Sequence, residues 1–445
     1  MRKIALFIGF FALCIQSYAQ NAAGPVILGM SDAGAFSILE RSDWRRYDNG
    51  RYVGLTRNEV RASIIPQAAY DNTGDSTFYH GNFFVIQSTL RDMRQSAQAV
   101  DAIIPVSFEV MRSGSITIEN DQGFPMMRGF PSFPSQGVTL GVKWQAPGYR
   151  AVDPLNTGQA VVIPFTAEYE YRGIESYRDT PVHRIFAMYG YNYPNRVAPH
   201  PYARVTGSHR VDILIRVADG LPVFMRDQLN VAYTLSDGST TEFRGFTLTF
   251  GSGIVLMDRG SVVASLENAL RIVKPVAPAV PVLPEPVPVP QVVAGPVIQG
   301  PSEAEDQARR PPPAINAAGL QDSAIDLTPV PEGIRLTIRD IRFMPDSPEF
   351  LASERPRLDL IADALKQIPD RTFLVEGHTA STGRPSSEMQ LSIERANSLI
   401  NELVRRGISA DRFVYKGWGG TRPVGDNATD SGRSANRRVE ITILE

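Results

Sequence analysis

At 445 residues the chain exceeds what one ordinary hydrophobic core organises, so two or three domains with linkers are expected. Lys plus Arg number 45 against 47 Asp plus Glu, and neither sign forms long blocks, which argues against the electrostatic footprint of a nucleic-acid partner. The five histidines and one cysteine come with no HExxH, Gly-x-Ser-x-Gly or phosphate-loop spacing, so the expectation is a non-enzymatic protein with no metal and no cofactor.

The chain opens with an export pattern. Arg2 and Lys3 precede an uncharged apolar run from Ile4 to Ile15, and Ser17-Tyr18-Ala19 supplies a small-x-small cleavage site. The run is shorter than the roughly 20 residues a spanning helix needs. Residues 1–19 therefore read as a signal peptide, with Gln20 first in the mature chain. Lipidation of Cys14 is the competing reading, but Leu13 is bulky where lipoprotein processing favours a small residue. Cleavage after Ala19 removes the only thiol, and with it disulfides and thiolate metal sites.

From residue 24 to about 260 strand patterning dominates. Ile104, Val106, Phe108 and Val110 alternate with polar or proline positions; Ala167, Tyr169 and Tyr171 oppose Glu168, Glu170 and Arg172; Val211, Ile213, Ile215 and Val217 share one face. Asp48-Asn49-Gly50, Asp219-Gly220 and Asp237-Gly238 lie between such runs as hairpin turns. The Phe-Pro pairs between Gly123 and Pro134 interrupt strand pairing, because proline lacks the N–H that a ladder uses. They suggest two β-rich subdomains, residues 20–150 and 151–273, the second ending in a short helix over Ser265–Val273. Twelve prolines then fall between Lys274 and Pro313, so residues 274–330 read as a semi-rigid polyproline spacer. A proline-rich ligand for a binding module is the alternative there.

Residues 331–445 change to mixed patterning. Ile334, Leu336 and Ile338 predict a strand; Leu358, Ile361, Ala362 and Leu365 a helix with Ser353 as N-cap and Pro356 in its first turn; Phe373 to Val375 a second strand. Ala396, Leu399, Ile400, Leu403 and Val404 give a helix with one buried stripe, stopped at Gly407. Phe413–Tyr415 and Val439–Leu444 complete a β-α-β-α-β-β order. The fold class is thus multidomain: an all-β N-terminal region, a Pro-rich linker and an α+β C-terminal domain.

Three ordered motifs sit on that last domain: Gly377-His378-Thr379-Ala380-Ser381-Thr382-Gly383, then Leu391-Ser392 with Arg395-Ala396, then Asn436-Arg437-Arg438-Val439-Glu440. Their order and spacing resemble the OmpA-like C-terminal domain family, whose members grip peptidoglycan. The resemblance implies an exported envelope protein, in the periplasm at the cell wall or outer membrane of a diderm bacterium, bound noncovalently to peptidoglycan. It implies ligand contacts from Thr379, Ala380, Ser381, Thr382, Glu388, Arg395, Asn436 and Arg437. In the family an Asp closes the first motif and, with the Arg, holds the amine and carboxylate of a cell-wall diamino acid. Here Arg395 is present, the Asp position is Ala380, and the family's Asn is Glu388.

Arg395 suits a carboxylate through its forked donors, or pairs locally with Glu394 or Glu388. Glu388, seven residues before Arg395 and on the same helical face, can replace the lost charge, or is simply an acid favoured at a helix N-terminus. Asn436 can serve a turn and Arg437 solvent. His378 reads as structural, and Trp418 as a packing aromatic or a ligand platform.

The N-terminal partner is an unknown envelope protein or the outer membrane. With its non-barrel β region the chain is similar to spirochaetal OmpA-domain proteins. Two other readings stay open: an OmpA-fold interaction module without peptidoglycan binding, and an integral outer-membrane β-barrel with an OmpA-like tail.

The export pattern is checked by mass spectrometry of the mature protein, which is expected to begin at Gln20. A diacylglyceryl mass on Cys14 would overturn it.

Overall fold

The computed structural model describes residues 24–31, 34–67, 75–89, 98–155, 157–194, 200–270, 325–339, 341–344 and 347–445. The signal peptide and the proline-rich stretch lie outside the described residues.

Thirteen strands form from the alternating segments: β1 Phe36–Asp48, β2 Arg51–Pro66, β3 Ser76–Thr89, β4 Gln98–Ala99, β5 Ala102–Met111, β6 Ile116–Ile118, β7 Met127–Arg128, β8 Lys143–Val152, β9 Val161–Tyr177, β10 Thr180–Tyr193, β11 Tyr202–Arg216, β12 Pro222–Leu235 and β13 Thr240–Gly253. The period-two pattern decides their faces. In β9, Ile163, Phe165, Ala167, Tyr169 and Tyr171 are buried, while Thr166 and Arg172 are exposed. The turn between β1 and β2 needs a left-handed backbone at two positions, which Asn49 (φ 50°) and Gly50 (φ 77°) supply.

Twelve of the strands make one sheet in the order β6-β5-β3-β2-β1-β13-β12-β11-β10-β9-β8-β7. Its two edge strands, β6 and β7, are consecutive in the chain, so the sheet curls until its ends lie one short connection apart. The result is a nearly closed barrel rather than the non-barrel region expected from sequence. The expected subdomain division near residue 150 falls inside β8 of this single sheet. The Phe-Pro stretch sits across the seam: Phe124 packs on Phe83 at 5.1 Å and Phe130 on Tyr169 at 5.6 Å.

The chain then forms α1, Arg259–Ala269, capped by Asp258, whose side chain accepts from Ser261 N–H at 3.3 Å. This helix begins six residues earlier than the sequence pattern indicated, and it belongs to a different core. Leu266 and Leu270 pack with Ile361, Leu365 and Ile334 of the C-terminal domain.

That domain contains β14 Ile325–Val330, β15 Gly333–Arg339, α2 Arg355–Lys366, β16 Phe373–Gly377, α3 Pro385–Arg405, β17 Phe413–Gly417, α4 Asp430–Asn436 and β18 Arg438–Leu444. The segment 325–330, assigned to the linker by composition, is the strand β14. Ser353 lies in a 3-10 turn, and Glu354 occupies the N-cap of α2 without a side-chain cap bond. The sheet order is β14-β15-β18-β16-β17-β4, so the sixth strand comes from the N-terminal region. Val100 N–H donates to the Tyr415 carbonyl at 2.7 Å. Phe84, Ile86 and Val100 meet Leu374, Val414 and Leu444 in a shared apolar seam. Arg259 closes the junction on Glu445 at 2.6 Å.

The two halves therefore share a sheet edge, an apolar seam and an ion pair. Leu266→Ala, at a side chain 1% exposed, is expected to destabilise the C-terminal domain by about 2–5 kcal/mol. Hydrogen exchange of the β16–β18 amides in urea checks it; unchanged protection would mean that α1 is only loosely laid on the domain.

Candidate functional site

The first motif begins where β16 ends. A Cβ on Gly377 would meet the Ser392 carbonyl oxygen at 2.1 Å, so glycine lets α3 lie directly against the strand end. Beyond it His378 N–H donates to the Arg438 carbonyl and Thr379 N–H to the Gly419 carbonyl, both at 3.0 Å. These bonds fix the loop that leads into α3. The helix has Arg384 at its N-cap with no side-chain cap, leaving its first N–H groups in need of acceptors.

Glu388, in the first turn of α3, meets that need. Its carboxylate accepts from Thr382 N–H, from the Thr382 hydroxyl at 3.0 Å and from Arg384 N–H at 3.2 Å. The Thr382 backbone bond chiefly holds the carboxyl below its ordinary pKa, against the opposing effect of burial. The charge is committed to the loop. Ser381 N–H donates to Asn427 Oδ1 at 3.1 Å. Asn436, fully buried, accepts from Val424 and Gly425 N–H at 2.7 and 2.9 Å and donates to the Gly425 carbonyl and Asn427 Oδ1. All its polar capacity goes to the 424–427 loop.

Beside these residues lies a cleft of about 460 Å³ lined by Ile341, Arg342, Phe343, Leu351, His378, Arg395, Arg437 and Arg438. Of the eight residues indicated by sequence, it brings together Arg395 and Arg437. The Arg395 guanidinium lies over the Phe343 ring, 4.7 Å from its centroid. His378 is 3% exposed, and no hydrogen bond reaches either ring nitrogen among the described residues. Burial, with the charges of Arg438, Arg422 and Arg335, pushes its pKa down to about 3. The ring is neutral, and its 3.8 Å approach to Glu440 is not an ion pair. Arg438 donates through Nε to Glu440 at 2.6 Å, while its Nη1 is buried without an acceptor.

The cleft thus offers cationic and neutral donors, and its lining among the described residues holds no carboxylate. Such donors have the chemistry to receive an anion. Arg342, Phe343, His378 and Arg438 were not singled out from sequence as ligand contacts. The Arg437-Arg438 pair was the available signal for Arg438. Trp418 is a packing aromatic: its Nε1 donates to buried Glu376 at 2.7 Å, and Arg422 covers the ring at 3.4 Å.

Because the folded pKa of Glu388 lies below the unfolded value, its stabilisation is present above the ordinary carboxylate range and is lost as pH falls through the folded value. Glu388→Gln is expected to cost about 1 kcal/mol at neutral pH. The deficit should shrink in acid. Urea titrations across pH check this; a deficit constant with pH would show that the charge is not what the loop uses.

A model of the OmpA family matches residues 342–437. Peptidoglycan-binding protein ArfA of Mycobacterium tuberculosis is 33% identical over 141 residues, 32% of this chain and 41% of that one. Outer membrane porin F of Pseudomonas aeruginosa is 37% identical over 115 residues, 26% of this chain and 33% of that protein. Among solved structures, an outer membrane protein from Borrelia burgdorferi B31 is 34% identical, with 27% of this chain and 98% of that chain covered and a TM-score of 0.24. The cell wall anchor of the T6SS from Pseudomonas aeruginosa is 34% identical at 27% and 87% coverage, with a TM-score of 0.25. The chain spans less than half the length of these curated relatives. The mixed C-terminal fold, its three motifs and the family match together make this domain a member of the OmpA family.

Proposed function

We propose that this chain is a non-enzymatic envelope protein whose OmpA-family domain associates noncovalently with peptidoglycan, gripping a carboxylate of the stem peptide in the cleft of Arg395. The carrying observation is the gathering of Arg395, Arg437 and Arg438 on a cleft whose described lining residues include no carboxylate. A relative named as a peptidoglycan-binding protein supports the reading. Among the described lining residues a ligand ammonium finds no acidic partner: Ala380 offers none and Glu388 is committed to its loop. Losing such a pair costs roughly 2–5 kcal/mol in a desolvated site, which makes binding weak by one to several powers of ten.

The β region is proposed to face water in the periplasm rather than lipid. Its outward positions include Glu168, Arg172, Arg184, Asp212 and Arg244. On a lipid-facing barrel each Arg at the bilayer midplane would cost about 2–4 kcal/mol.

Calorimetry with muropeptides containing diaminopimelate tests the site. The wild type should bind weakly, Arg395→Ala should remove binding, and Glu388→Gln should leave it nearly unchanged. Ala380→Asp should strengthen it by at least about tenfold. Binding that survives Arg395→Ala would place the wall contact elsewhere. No binding by wild type or Ala380→Asp would favour an interaction module that kept the fold alone.

A further inference from the structure

A second cavity, about 240 Å³, opens within the barrel, and the proposed wall contact does not use it. Most of its wall is apolar. Trp44 and Phe243 meet edge to face at 5.5 Å, and the indole N–H is already spent on Thr247 at 3.2 Å. One end is polar, with Glu40 from β1, Arg150 from β8 and His209 from β11.

The charges there do not cancel. Arg150 donates to Asp227 at 2.8 Å and to the Tyr189 hydroxyl at 2.9 Å, so its charge is met by Asp227. His209 Nδ1 faces the same carboxylate at 2.9 Å. Arg150 Nη1 also lies 3.3 Å from Nδ1, but the closer Asp227 carboxylate only accepts, which favours the ring proton on Nδ1 and leaves Nε2 as an acceptor. His209 is 2% exposed, lines the cavity, and its Nε2 has no partner among the described residues. Asn58 Oδ1, also on the lining, is buried without a donor. No hydrogen bond to the Glu40 side chain occurs among the described residues, and burial drives its carboxyl up to about 7 against the pull of Arg150.

Buried acceptors without donors are uncommon, because each carries its full desolvation cost. Their residues line a chamber large enough for a small molecule, and with Arg150 met by Asp227, Glu40 is left at its polar end without a counter-ion, its carboxyl only partly ionised near neutral pH until a cation pairs with it. An anion would be repelled, and a purely apolar occupant would leave the acceptors unmet. We propose that this cavity binds a small organic cation, a primary ammonium on an apolar or aromatic body, donating to Glu40 and His209 while the body lies against Trp44 and Phe243.

Calorimetry on the full chain with phenethylamine, 2-phenylethanol and phenylacetate separates the classes, since the three probes share size and differ in charge. The amine should bind, the alcohol should bind at least about tenfold more weakly, and phenylacetate should give no heat. Glu40→Gln keeps the shape and removes the charge; it should weaken the amine at least about tenfold and leave the alcohol within about twofold. Arg395→Ala should change none of these, which separates this cavity from the wall contact. Equal binding of amine and alcohol, preference for phenylacetate, or no binding of the amine by the wild type would each overturn the proposal, whether or not Glu40→Gln folds.

Discussion

The C-terminal half depends on the burial of β18. Every residue from Arg438 to Leu444 is buried, and the strand is hydrogen-bonded on both edges, to β15 and to β16. Its polar positions must therefore find partners inside the protein. Arg438 and Glu440 pair at 2.6 Å, and Arg335 approaches Glu440 at 3.4 Å. Removing one partner of such a buried pair typically costs about 3–5 kcal/mol, because the other is left charged and unmet. The same strand serves two ends of the domain. Arg438 begins it and walls the arginine-lined cleft, while Glu445, just past its end, holds Arg259 and the Met257 N–H at the junction with the barrel.

Local patterning made most of the fold legible. The alternation at Ile104 to Val110 is β5, the stripe at Ala396 to Leu403 is the buried face of α3, and Asn49-Gly50 is the turn between β1 and β2. What escaped is what lies far apart in sequence. Nothing near Leu266 indicates that its partners are Ile361 and Leu365, and a two-residue strand such as β4 carries no period at all. The barrel was hidden because proline pairs that interrupt a ladder look the same whether they divide two domains or bridge the seam of one sheet.

The site divides in the same way. Gly377 and Arg395 are visible in sequence as motif positions, and the structure adds what each does locally: the glycine admits α3 against the strand end, and the arginine lines the cleft over Phe343. Glu388 and Asn436 had two readings each, and the structure directs their oxygens to backbone N–H groups. The cleft itself is assembled from the 341–351 segment, the end of β16, the middle of α3 and the start of β18. No window of sequence contains that juxtaposition. The barrel interior is less visible still, since Glu40 and His209 occupy strands that are remote in sequence and not adjacent in the sheet.

The pairing of β4 on β17 bears on how the protein keeps its own company. An uncovered strand edge is a ready template for another chain, and natural sheets protect theirs with short strands, proline or a covering segment. β4 covers two residues of β17, and behind it Phe84, Ile86 and Val100 seal the apolar side chains of Leu374, Val414 and Leu444. A C-terminal domain cut free of the barrel would bare both the edge and the seam at once. Separation of the halves would then favour self-association of the freed domain through the bared edge and seam.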